Sequence, residues 1–163
     1  MKRDIIGWRN LEGVCREMNI RQMLISDYEG VYQLWTNTPG MGLNDLDDSK
    51  NGIQKYLKRN PETCFVAERD GIIIGVIMSG HDGRRGFIHH TAVAVAERNM
   101  GIATDLVEYA MLALKEEGIN KVALVAFSKN ETGNAFWEIK GFAVRSDLTY
   151  RNKNINDMIR MDT

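Results

Sequence analysis

His89 and His90 are adjacent in a stretch of strand character, and an imidazole can take up a proton near neutral pH, so the pair are the first candidates for acid–base work. Strand alternation puts only one of them, His89, on the side of Thr91 and Val93, leaving His90 for the core or a helix. Just downstream, "AVAVAERNMGIATDL" (92–106) ends an apolar run at Val95, passes the Glu97-Arg98 pair, and opens a helical pattern at Gly101 and Ala103. A tight, glycine-bearing turn into a helix start leaves backbone N–H groups without intrahelical acceptors. With the partial positive charge of the helix end, such a turn attracts phosphate, and the bare Cα of Gly101 lets a bulky anion come close. Neither the Walker pattern G-x-x-x-x-G-K-[ST] nor the dinucleotide pattern G-x-G-x-x-G is present. Taken alone, the turn is equally a packing glycine between strand and helix.

The elements that must hold these residues alternate along the chain without repeats. "NIRQMLISD" reads as a first strand, with Ser26-Asp27 capping a helix through Val31, Leu34 and Trp35. After a polar loop from Gly40 to Asp48, Ile53, Tyr56 and Leu57 mark a second helix closed by Asn60-Pro61. Residues 64–95 read as three antiparallel strands, turning at Asp70-Gly71 and at the 83–86 loop. Ile102, Leu106, Val107, Ala110, Met111 and Leu114 form the apolar stripe of a long helix that stops at Gly118. "KVALVAFS" is apolar enough for a strand buried on both faces, "NETGNAFWEIK" for a short helix, and strands are expected around Phe142–Arg145 and Ile155–Met161. Residues 1–17 stand apart as an extension: Leu11, Val14 and Met18 can line a short helix, while "MNIRQM" is itself an ordinary start, and both readings stay open.

Composition narrows the partners. At 44% hydrophobic and 26% charged over 163 residues, one globular domain with a substantial core is expected over residues 18–163. Net charge is −1, from 21 basic and 22 acidic residues, which gives no electrostatic case for nucleic acid or an anionic membrane. Cys15 and Cys64 lack C-x-x-C spacing and read as reduced thiols in a cytoplasmic protein, with no metal site.

Arg98-x-x-Gly101-x-Ala103, following Val93 and opening an amphipathic helix, resembles the R/Q-x-x-G-x-G/A acetyl-coenzyme A motif of the GNAT N-acetyltransferases. Asn130-x-x-Gly133-x-x-Phe136-Trp137-x-x-x-Gly141-Phe142 is similar to that family's second motif, and "GHDGRRG" to a bacterial subgroup of small acetyltransferases. The likeness covers about residues 18–161. It implies an α+β, three-layer fold: a mixed, strongly twisted, mainly antiparallel sheet of about six to seven strands flanked by helices. It also implies acetyl-coenzyme A as donor, a small-molecule or peptide amine as acceptor, and direct transfer in a ternary complex. Self-association into a homodimer stays open, and a coenzyme A-binding sensor or scaffold without turnover is the alternative.

Residue by residue, the resemblance implies that Thr91, Ala92 and Val93 pair with the pantetheine arm and that the Val93 N–H donates to the oxyanion. The amides of Asn99, Met100, Gly101, Ile102, Ala103 and Thr104 would hold the pyrophosphate, with Arg98 shaping the turn. Asn130 would approach the cofactor, or serve only as a helix cap. Some members draw an acid or base from this strand four or six residues before the valine, and His89 stands four before Val93. Trp137 replaces a tyrosine whose hydroxyl usually protonates the departing thiolate. An indole N–H donates but is no usable acid, so Trp137 is expected to pack beside pantetheine and at most hydrogen-bond the sulfur, with Ser128 and Tyr150 as substitute donors. The acidic run in "GLNDLDDSKNG" either lines the acceptor cleft, favouring a cationic amine, or is a solvated face.

Overall fold

The computed structural model describes residues 8–9 and 15–161. Its central sheet has five strands in the order β3 (Met18–Gln22), β5 (Phe65–Arg69), β6 (Ile72–His81), β7 (Gly86–Val93), β8 (Val122–Leu124). The first three pairings are antiparallel and β7–β8 is parallel, giving the mixed, mainly antiparallel sheet expected, with five strands in place of about six to seven because residues 142–145 and 155–159 form none of it. Two short pairs lie outside it: β1 (Trp8–Arg9) with β2 (Cys15–Arg16), and β4 (Leu43–Asn44) with β9 (Arg160–Met161). The helix foreseen along Leu11, Val14 and Met18 does not hold where it can be checked. Cys15–Arg16 and Met18 are in strands, and Leu11 and Val14 fall outside the described residues.

Helices α1 (Tyr28–Thr36) and α2 (Lys50–Arg59) cover one face of the sheet, burying Val31, Trp35, Ile53 and Leu57 with Val66, Val76 and Ala92. Helix α3 (Ile102–Glu116) covers the other, where Ile102, Leu106 and Ala110 meet Ala67, Ile77 and Val93. The aromatic side chains of α4 (Glu131–Ile139) pack against this second core. Burying such apolar side chains contributes about 1.5–3 kcal/mol each, enough to press both helical layers onto a strongly apolar β6.

Local chemistry fixes the joints. Asp70 and Gly71 both take positive φ, 52° and 77°, as a two-residue hairpin between β5 and β6 requires. Ser49 Oγ caps α2 by accepting from Gly52 N at 3.1 Å. Ser26-Asp27, by contrast, does not cap α1: a 3₁₀ turn intervenes, and the Asp27 carboxylate accepts from Leu24 N and Arg21 instead.

The C-terminal third departs from expectation. Within "KVALVAFS" only Val122–Leu124 is strand, at the sheet edge rather than inside it, and Val125 is half exposed. Residues 142–145 are irregular, and of 155–161 only Arg160–Met161 pairs, with β4. Val144, Leu148, Tyr150 and Ile155 are all exposed.

Candidate active site

Strands β7 and β8 pair over only three positions, Gly86–Val122, Phe87–Ala123 and Ile88–Leu124, and then part. From there to Val93, one edge of β7 has no neighbouring strand among the described residues. The backbone it offers can be worked out from the ladder. Ala94 N donates to Ile74 O at 2.9 Å, so alternation turns the N–H and C=O of Ala92 toward β6 and those of Thr91 and Val93 away from it, into the gap. Two further observations fit. Val93 O accepts there from Arg98 Nε at 3.3 Å, and the buried Thr91 Oγ1 has no hydrogen-bond partner among the described residues.

The chain leaves β7 through a 3₁₀ turn (Val95–Glu97) and enters α3 at Gly101, whose φ of +83° is left-handed. Asn99, at +63°, is one of the residue types that tolerate such a conformation. Gly101 supplies no side chain to cap the helix, and no described hydrogen bond uses the amides of residues 99–104. A Cβ placed on Gly101 would meet nothing within 4 Å, so the space before these amides is open. Open space faced by unsatisfied N–H groups at a helix start suits a pyrophosphate. Residues 98–104 thus form one continuous turn and helix start.

The histidines are arranged differently. Between Ile77–Thr91 and Ser79–Ile88 the register shifts, so that His89 and His90 together oppose Met78. This β-bulge cancels the expected alternation: Ile88 and Val93 both lie in the core under α3, Ala92 in the core under α1 and α2. Both rings consequently point to the α1–α2 side, and His89 does not share a face with Thr91 and Val93. His90 packs on Trp35 with ring centroids 4.9 Å apart, and its Nε2 lies 2.7 Å from Asp48 Oδ1. His89 lies edge-on to Tyr56 of α2 and beside Phe87, and still reaches solvent. Burial of its ring by these neighbours, with His90 adding like charge, lowers the His89 pKa against the opposing pull of Asp48 and Asp47. His89 opens on a cleft of about 560 Å³ between α2, the β6–β7 loop and β8.

Sequence reasoning missed the Asp48–His90 pair. Asp48 is only 4% exposed, and its second oxygen accepts from Asn44 N. It sits in an acidic run with nothing in its pattern to separate it from Asp45, which accepts from Ile159 N, or Asp47. On the α3 side, Trp137 is part of an aromatic group with Phe136 and Phe142, at 5.1 and 5.2 Å. Asn130 caps α4, its Oδ1 accepting from Gly133 N at 3.0 Å. Ser128 is exposed before that cap, and Tyr150 is 67% exposed in the irregular tail. Cys64 is fully buried, its thiol donates to Ser79 O, and burial pushes its pKa up to about 12, which makes it a core residue rather than a nucleophile.

Comparison with known proteins supplies the family. Residues 28–142 match the acetyltransferase (GNAT) family. An acetyltransferase of Pectobacterium atrosepticum is 29% identical over 140 residues, covering 86% of this chain and 98% of that protein. Among solved structures, Ard1 from Thermoplasma volcanium superposes with a TM-score of 0.71 at 21% identity, covering 79% of this chain and 84% of that one. The aminoglycoside N-acetyltransferase AAC(6')-Iy in complex with CoA gives 0.65 at 20%, covering 85% and 95%. These two show a shared fold. With strands parted beside an open, amide-lined turn, and a family match across most of the domain, the chain belongs to the GNAT family as an acetyl-coenzyme A-dependent N-acetyltransferase.

Proposed function

We propose that this protein transfers an acetyl group to a primary amine of a small molecule or peptide by direct attack in a ternary complex. The observation that carries the mechanism is the gap beside β7, which is edged by unpaired backbone and flanked by an open turn on one side and an imidazole-bearing cleft on the other. Acetyl-coenzyme A supplies the activated thioester. The amides of residues 99–104 hold its pyrophosphate, Arg98 braces the turn through Val93 O, and the outward backbone of Thr91 and Val93, continuous with Ala92, lies along the pantetheine arm. The Val93 N–H donates to the carbonyl oxygen as that oxygen gains negative charge.

His89 takes the amine proton. A lowered pKa keeps its ring neutral at pH 7, and its cleft reaches solvent, whereas His90 has one nitrogen committed to Asp48. Trp137 packs beside the pantetheine arm. No protein acid is needed for the thiol: with a pKa near ~8.5, leaving as thiolate at pH 7 costs only about 2 kcal/mol relative to leaving protonated. Thiol release from acetyl-coenzyme A, measured against a panel of amines, amino acids and peptides, tests the assignment. Amine-dependent release is expected, and tight coenzyme A binding with no release from any amine would make the protein a silent coenzyme A binder instead.

A further inference from the structure

The cleft beside His89 has a charge opposite to the one the acidic loop suggests. Its wall carries Arg59 from the last turn of α2, Arg85 from the β6–β7 loop and Lys121 from just before β8, three cations against a single carboxylate, Asp82. That carboxylate is engaged with its own loop, accepting from Arg84 N at 2.8 Å and Arg85 N at 2.7 Å. Elsewhere Arg21, Arg69, Arg145 and Lys50 each have a carboxylate partner. Arg59, Arg85 and Lys121 make no ion pair among the described residues, Asp147 acting on Lys121 only through space, although they come from three separate elements and meet at one cleft.

Tyr56 lines the cleft edge-on against His89, while its hydroxyl is buried against Gly80 and Asn60, out of the cleft's reach. His81, also in the wall, is committed: its N–H donates to Asn60 Oδ1, its Nδ1 accepts from Gly83 N, and its Nε2 faces Glu117. The acidic run, which by sequence either lines the acceptor cleft or is a solvated face, is largely used up, with Asp48 on His90 and Asp45 on the backbone of Ile159.

We propose that this cleft binds an anionic group, a carboxylate or a phosphate, carried by the acceptor, with Arg59, Arg85 and Lys121 supplying the charge. It rests on the transferase reading in one respect: the cleft lies on the α1–α2 side with the proposed base, while the donor's phosphates are assigned to the turn at α3 on the other side. An anion held here places an amine on the same molecule next to His89. Planar guanidinium groups suit either oxyanion, since each can give two parallel hydrogen bonds.

Matched amines test this. Phosphoethanolamine is compared with ethanolamine, and β-alanine with β-alaninamide, by thiol release from acetyl-coenzyme A. The anionic member of at least one pair should have a kcat/KM ten times or more that of its neutral partner, with the advantage shrinking as salt rises; the better pair identifies phosphate or carboxylate. In Arg59→Ala and Arg85→Ala that preference should fall at least tenfold, with partial recovery in Arg85→Lys. Equal or better use of the neutral amines would overturn the anion site and leave the transferase reading intact. If no amine is turned over, a second readout decides the site independently. Titration with inorganic phosphate, followed by NMR of the His81 and His89 imidazoles, should give saturable shifts weakened tenfold or more in Arg85→Ala, and absence of such shifts would overturn the proposal.

Discussion

Gly101→Glu, set against Gly118→Ala at the other end of the same helix, separates a binding role for the turn from its backbone role. Both glycines are left-handed, φ +83° and +75°, and a Cβ on either would meet nothing within 4 Å. A side chain in that conformation costs roughly 1–2 kcal/mol, so each variant should lose some stability while staying folded. In a domain of this size, that is a melting-temperature drop of about 2–4 °C per kcal/mol. At position 101 the glutamate also recovers part of the strain, because a carboxylate at a helix N-terminus stabilises by about 0.3–1 kcal/mol. The consequences for binding diverge. A carboxylate at Gly101 stands before the open amides of residues 99–104, where the pyrophosphate is assigned. At roughly 5 Å and an effective dielectric of about 20, each like-charge pair costs about 3 kcal/mol before salt screening. A fall in acetyl-coenzyme A affinity on the order of 10²-fold or more is therefore expected for Gly101→Glu, with none for Gly118→Ala. Isothermal titration calorimetry beside thermal denaturation reads both quantities. Unchanged affinity in a folded Gly101→Glu, or equal losses in the two variants, would refute the assignment of the turn.

The remaining predictions concern the residues nearest the chemistry. His89→Ala should lower kcat/KM by about 10²-fold, while His90→Ala, which strips Asp48 of its partner, should act mainly on the melting temperature; small, equal effects on turnover would leave proton removal to water. Because the His89 pKa is lowered, its neutral form persists below the ordinary ~6.5, so the acid limb of kcat/KM should lie below that pH and be lost in His89→Ala. The same sign means that His89 contributes to stability above its unfolded pKa and that this contribution is lost as pH falls through the folded one. Trp137→Phe should change kcat by less than about tenfold, against ~10²–10⁴ for removing a general acid, and a loss beyond a hundredfold in a folded, cofactor-binding variant would make the indole essential.

Much of the frame was legible because it rests on local signals. Asp70-Gly71, Gly118 and the stripe of Ile102, Leu106, Val107, Ala110 and Leu114 each act through nearby atoms and do in the fold what their residue types favour; Met111, placed in the same stripe, lies at its margin and is exposed. The tail shows where such signals stop. Phe142 and Val144 alternate as in the strand expected over Phe142–Arg145, but a strand needs a partner, and among the described residues this segment has none. The cationic cleft was equally out of reach: Arg59, Arg85 and Lys121 are unremarkable singly, and only the folded arrangement of α2, the β6–β7 loop and β8 brings them to one wall.

The bulge at His89–His90 was the least legible feature and has the widest consequences. A period of two in the sequence cannot show where one strand carries an extra residue, because a bulge is a property of the pair. Here it begins immediately after Ile88, the last residue of β7 that pairs with β8. One irregularity therefore marks both the point where the strands part and the point where the histidines turn to the α1–α2 face. Without the extra residue, either His89 would point into the core under α3 or the outward backbone of Thr91 and Val93 would change face. With it, β7 presents Val93's amide to the gap and His89's imidazole to the cleft. In the mechanism proposed above, the amine loses its proton on one side of the sheet while the thioester is held from the other.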